Sequence, residues 1–240
     1  MGTRDSLTLG RNDRDELAFD LACRRCPRLA AFLAEQRSEY PSYHNAPVPA
    51  FGDQRAPLLV VGLAPGLHGA NRSGRPFTGD HAGILLYRTL HQLGFASAPL
   101  SVAANDDLRL SDLRITNAVK CVPPGNKPTT AEIRECNGFL SAELSLLQPR
   151  IVVALGRIAH EAVLRACGLP LTSHRFAHAA EHRVESDLGA FWLIDSFHCS
   201  RYNTNTGRLT DAMFESVFLR ARDLLKVNSV AGKGTELRWG

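Results

Sequence analysis

A chain of 240 residues, 44% apolar and 22% charged, reads as one soluble globular domain (residues 1–240) with a sizeable core expected over about 13–227. No apolar run approaches the roughly 18 residues that a membrane span needs, and the opening MGTRDSLTLGRNDRDEL lacks the apolar centre of a secretory leader, so the expected compartment is the cytosol. The net charge of +4 is mild and permits a nucleic-acid partner without demanding one.

Of the 28 basic residues only four are lysine. The planar fork of arginine suits phosphate contact; the codon bias of a GC-rich genome would give the same excess, and both readings stand.

In chain order, Leu17, Leu21, Leu29 and Leu33 fall at helical spacing and predict a first helix over 13–37, with the C-x-x-C of Cys23 and Cys26 inside it. Residues 41–57 are a proline-containing connector. The apolar run 57–64 predicts a strand, 81–95 an amphipathic helix ending at Gly94, and 113–121 a second strand. Residues 129–147 predict a helix opened by Thr129 and Glu132 as a capping box. A strand over 150–156, a helix over 157–168, a strand over 190–197 and a last helix over 210–227 complete the alternation. The tail NSVAGKGTELRWG has too little apolar content to fold alone. Such alternation predicts an α/β fold: a parallel sheet with helices on both faces, three layers in all. There is no internal repeat and no domain linker.

In sheets of this kind, ligands bind beyond the C-terminal ends of the strands. That rule points to four places: the 62–80 loop, NAVKCVPPGNKP, the turn after Gly156, and HCSRYNTNTGRLT. The turn after Gly156 is plain and is expected only to start a helix; the other three are densely polar. The 62–80 loop contains neither G-x-x-x-x-G-K-[ST] nor G-x-G-x-x-G before a helix, so a nucleotide-binding enzyme is weakly supported. Its Gly66 and Gly69 permit the chain to approach a ligand closely.

The chain has six cysteines, and in a cytosolic protein metal or redox chemistry is favoured over disulfides. Cys23, Cys26, Cys121 and Cys136 suit a tetrahedral zinc or an iron–sulfur cluster. The Cys121–Cys136 spacing is unlike the second C-x-x-C of a zinc ribbon and tilts the choice toward a cluster; four unrelated buried thiols are the plain alternative. Cys167 and Cys199 read as small core residues.

GLAPGLHGANRSGRPFTGD, TNAVKCVPPGNKP and HCSRYNTNTGRLT, with the C-x-x-C upstream and Cys121 and Cys136 between, occur in the same order as in the family 5 (type-b) uracil-DNA glycosylases. The chain resembles that family from about residue 20 to 226. The related family 4 carries an acidic residue after the first glycine of its loop, where this chain has Leu63, as in type b. One departure is His198-Cys199-Ser200 where the family has His-Pro-Ser; loss of the proline frees φ and adds an N–H donor.

The resemblance implies a central four-stranded parallel sheet and a [4Fe–4S] cluster held by Cys23, Cys26, Cys121 and Cys136 as a structural brace. It implies hydrolysis of the N-glycosidic bond of uracil in DNA, and of other deaminated or damaged bases, leaving an abasic site. The partner is then DNA containing such bases, and nothing requires more than a monomer.

The residues fit that chemistry. A stacked base must be everted into a pocket before it is reached. Phe77 offers it an aromatic face, or plugs the core. Asn117 offers a donor and an acceptor to its Watson–Crick edge, or caps a turn. His198 can donate to a base carbonyl as negative charge grows there. Asp80 can stabilise a cation-like sugar or orient water, or it is the N-cap of the following helix. Asn126 is a second candidate to hold water, and the backbone at Gly62, Leu63 and Ala64 can line the pocket. Arg72, Arg75, Lys127, Arg201 and Arg208 are the candidate phosphate contacts, and the 198–210 segment is the place for a wedge that fills the gap left by the everted base. A catalytically inactive iron–sulfur protein that binds nucleic acid or senses redox state is the alternative.

Overall fold

A computed structural model describes residues 20–231. At its centre β2 (Leu58–Gly62), β3 (Leu113–Asn117), β4 (Ile151–Leu155) and β6 (Gly189–Ser196) run parallel. Their near-continuous Val, Leu and Ile runs suit strands covered on both faces. Leu58 and Val60 point into one layer, where α3 (His81–Gln92) and α7 (Asp211–Ala231) supply Leu86, Leu90, Phe214 and Phe218. Leu59 and Val61 point into the other, against Leu140 and Leu144 of α4 (Thr130–Leu147) and Ala162 and Val163 of α5 (Arg157–Ala166). The three layers are those expected. Among the described residues no helix is long and apolar enough to cross a membrane.

The sheet is wider than four strands. Two antiparallel edges extend it, β1 (Phe51–Gly52) on β3 and β5 (Glu181–Ser186) on β6, in the order β1-β3-β2-β4-β6-β5. Of β5 only Val184 is buried. A polar edge strand lacks the apolar run by which a central strand is recognised.

The first helix also differs from expectation. It is α1 (Pro27–Glu39), with Cys26 at its N-cap, so the C-x-x-C lies in the turn that enters the helix, not inside it. Pro27 has no N–H to give and fits the first helical turn but would break an interior. The part of that expected helix before residue 20, and the tail from residue 232, lie outside the described residues.

Helix α4 opens with the expected capping box. Glu132 N donates to Thr129 Oγ1 at 3.2 Å, and Thr129 N donates to Glu132 Oε2 at 2.7 Å. Glu132 also accepts two hydrogen bonds at 2.7 Å from the guanidinium of Arg28 on α1. The Arg28 fork in particular holds the Glu132 carboxyl below its ordinary range. One side chain thus starts α4 and straps α1 to it. Beneath the strap Leu29 and Leu33 pack on Cys121, Cys136 and Phe139 in a small third core.

Replacing Glu132 by Ala removes cap and strap together. The expected loss is about 1–2 kcal/mol in urea unfolding, whereas Glu132→Gln, which keeps an acceptor for Thr129 N, loses less.

Candidate active site

Beyond Gly62 the chain makes a long loop through the short helix α2 (Ala70–Ser73) and enters α3 at Asp80. Asp80 has N-cap dihedrals (φ −96°, ψ 151°), yet its side chain makes no capping hydrogen bond. Its Oδ2 instead accepts from Ala70 N at 3.2 Å, back across the loop. A Cβ on Gly69 would lie 1.8 Å from Asp80 Oδ1, and one on Gly66 2.5 Å from it. These two glycines are therefore required by the carboxylate itself. Burial raises the Asp80 pKa, opposed by the Ala70 and Gly66 N–H groups and by the nearby Arg72 and His68.

Asp80 lines a cavity of about 280 Å³ together with Phe77, Asn117, Asn126 and His198, and Leu63 and Ala64 line it too. Phe77 is buried, with φ +56°, a conformation costly for a residue with a Cβ. Close packing enforces it: a Cβ on Gly83 would lie 1.7 Å from the Phe77 carbonyl oxygen, and one on Gly62 2.6 Å from its ring. Gly62 lies behind the cavity wall and makes room for that ring. Phe77 therefore plugs the core and also faces the cavity.

Asn117 ends β3 and is only 3% exposed. Its Oδ1 is buried without a hydrogen-bond partner in the protein. An orphaned acceptor at this depth costs free energy unless a ligand satisfies it. Asn126, in the 3₁₀ turn Pro124–Asn126, has φ +57° and stands exposed at the rim.

His198 follows β6, with its ring 6.2 Å from that of Phe77 at 28°. Burial pushes its pKa down to about 4, so the imidazole is neutral at neutral pH. The backbone around it is pinned: Asn203 Nδ2 donates to the His198 carbonyl at 2.8 Å, and Ser200 caps the helix α6 (Arg201–Asn205). Cys199, behind His198, is wholly buried, as expected of a core thiol, and Cys167 is half-buried against the core under α4 and α5.

Among the basic candidates, Arg201 stands at the cavity mouth and Arg72, Lys127 and Arg208 are exposed. Arg75 is a correction. It is 4% exposed, paired with Asp106, and donates to Ser101 Oγ at 3.0 Å and the Ala104 carbonyl at 2.7 Å. Its guanidinium anchors the 101–106 loop over Phe51 and is closed to phosphate.

The turn after Gly156 does more than start a helix. Gly156 has φ +96°, a Cβ there would approach His198 Cβ to 3.3 Å, and Arg157 and Ile158 line a second cavity. His81, the first residue of α3, also lines the first cavity and meets Thr204 Oγ1 at 3.1 Å; in the sequence it reads only as a helix start.

Cys23, Cys26, Cys121 and Cys136 converge on a separate cavity. Burial first, then one another's proximity, raises the Cys26 thiol to about 11 and the Cys121 thiol to about 12. Among the described residues, the one group of three or more His, Cys, Asp or Glu whose ligand atoms all lie within 4.8 Å is His160, His182 and Asp195.

Residues 49–222 match the family described as the uracil DNA glycosylase superfamily. The chain belongs to that superfamily. It is 48% identical to a type-5 uracil-DNA glycosylase of Thermus thermophilus, over 88% of this chain and 98% of the relative. It is 43% identical to a type-5 uracil-DNA glycosylase of Mycobacterium bovis, over 84% of this chain and 78% of the relative. With a type-4 uracil-DNA glycosylase of Archaeoglobus fulgidus the identity is 32%, over 69% and 70%.

For this superfamily member the depressed His198 pKa gives a pH signature. The unfolded chain takes up the His198 proton near 6.5 and the folded chain only near 4. The stability due to neutral His198 is therefore present above pH 6.5 and lost as pH falls toward 4. Histidine NMR should find one ring titrating near 4, and His198→Gln should flatten the stability profile across that window.

Proposed function

We propose that the protein is a monofunctional uracil-DNA glycosylase acting as a monomer in the cytosol, hydrolysing the N-glycosidic bond of uracil in DNA and leaving an abasic site. One observation carries the reading: Asp80 occupies a helix N-cap without capping it, and its carboxylate shares a cavity with an orphaned amide, an aromatic ring and a neutral imidazole.

The everted base enters this cavity beside Phe77. Asn117 Oδ1 accepts the N–H of the lactam edge that deamination creates, and its amide donates to the adjoining carbonyl. Cytosine presents the opposite pattern there. Hypoxanthine and xanthine carry the same lactam edge, which extends the substrate class to other deaminated bases. As the glycosidic bond breaks, negative charge grows on the base and neutral His198 donates a hydrogen bond to it. Asp80, acceptor-only when ionised, stabilises the cation-like sugar and orients water, with Asn126 as a second holder of that water.

Arg72, Lys127, Arg201 and Arg208 are the phosphate contacts. Tyr202, 71% exposed on α6, is the wedge within the 198–210 segment. The non-catalytic alternative has no observation in its favour.

Cys23, Cys26, Cys121 and Cys136 would hold a [4Fe–4S] cluster. Burial and neighbouring thiols raise the Cys26 and Cys121 pKa values, and a cationic centre would stabilise the thiolates there. When bound, such a cluster supplies covalent cross-links among the entry to α1, the end of β3 and α4, and no step of the hydrolysis.

Asp80→Asn should lower uracil release at least a hundredfold, measured as alkali-labile sites in a dU oligonucleotide, with circular dichroism unchanged. In the wild type the acid limb of the rate profile should lie above the ordinary carboxylate value of 3.8. Near-wild-type release by the Asn variant would remove Asp80 from the mechanism.

Cys136→Ser should lose iron and acid-labile sulfide together, along with the brown colour of the purified protein. A colourless wild type loaded with zinc would overturn the cluster assignment.

A further inference from the structure

The second cavity, of about 480 Å³, adjoins the first: Leu63 and His198 line both. Its other walls come from the first turn of α5, from the connector before β5 and from the segment after β6. Three rings stand there. His178 stacks on Phe197 at 5.0 Å and 23°, and Phe176 lies 6.3 Å from Phe197. Arg208 places its guanidinium 4.6 Å from the Phe197 centroid, and Arg157 places its own 5.6 Å from that of Phe176.

These rings are held in place. Phe197 N donates to His178 Nδ1 at 3.1 Å, so that nitrogen carries no proton. Phe176 rests edge-on against His160, 5.7 Å away. His160 in turn is fixed by Asp195 Oδ1 at 2.7 Å and the His174 carbonyl at 3.1 Å. Both ring nitrogens of His160 face acceptors, so the buried His160–Asp195 pair braces the platform.

We propose that this cavity receives the base of the nucleotide adjoining the everted one in the same strand, stacked on Phe176 in place of the Arg157 guanidinium, which with Arg208 then meets its phosphates. The proposal rests on the glycosylase reading above. Three observations select this occupant over an apolar peptide or a small apolar ligand. The cavity adjoins the base pocket across Leu63 and His198, so the next nucleotide of a bound strand is within reach. No carboxylate lines it, while two arginines do. Aromatic rings beside mobile guanidinium groups form the combination that stacks bases irrespective of sequence.

The test uses the full-length Asp80→Asn protein, which binds without turning over, and dU oligonucleotides in which the base immediately 5′ or 3′ of dU is replaced by an abasic analogue. Removing one of these two bases should weaken binding about tenfold. Adding Phe176→Ala should weaken binding to the intact oligonucleotide by a similar factor and abolish the penalty for the missing base. Arg157→Ala, on an exposed side chain that does not compromise folding, should also weaken binding and lower its salt dependence.

Equal affinity for all three oligonucleotides would overturn the proposal. So would a penalty undiminished in Phe176→Ala, or one that appears only when a base of the opposite strand is removed. If wild-type protein releases uracil and any of these results holds, the second cavity alone is misassigned. Failure to release uracil from any oligonucleotide would bring down the glycosylase reading, and this one with it.

Discussion

The carboxylate of Asp80 lies against a backbone stripped of side chains. Gly66 and Gly69 leave it room at distances where no Cβ fits, and Ala70 N holds it there, so the N-cap residue of α3 faces away from its own helix. Much else at the site follows from that reversal. The loop must return tightly enough to meet Asp80, which draws Phe77 into a left-handed conformation and requires glycine at 83 beneath its carbonyl. With the ring of Phe77 so placed, His198 stacks near it in a space dry enough to keep the imidazole neutral. A carboxylate with a raised pKa and a histidine with a lowered one then share one cavity, each pushed by burial toward its uncharged form.

The sheet sets where these groups can meet. Parallel β2, β3 and β6 end on the same edge, where Gly62 and Asn117 emerge from adjacent strands and the His198 segment emerges beyond β4. Register makes the first two direct partners, Gly62 opposite Asn117. The missing side chain at Gly62 accommodates both the Asn117 amide and the Phe77 ring. One glycine at the end of one strand thus serves two neighbours that lie far apart in the chain.

What could be read in the residues alone divides along physical lines. The central strands were legible because burial on both faces demands unbroken apolar runs, and α4 because its cap is a local pattern of Thr129 and Glu132. β1 and β5 were not, since a two-residue pairing and a half-polar edge strand leave no periodic signal. The start of α1 was misread because leucine spacing outweighed Pro27, the stronger local constraint. At the site, residue types and loop positions were enough to gather Asp80, Asn117 and His198, but whether Asp80 capped its helix depended on distances to Gly66 and Gly69. Arg75 was misjudged because its partner Asp106 is 31 residues away, and the second cavity was missed because Phe176, His178 and Phe197 meet only through tertiary packing.

The small core that contains Cys121 and Cys136 shares no buried residue with the two cores flanking the sheet. It is a satellite, roofed by α1 and fastened by Arg28 and Glu132. Oxidative damage to the sulfurs would accordingly peel back that roof first and leave the six strands standing, so an injured molecule would keep its overall shape while the ground beneath its N-terminal helix gave way.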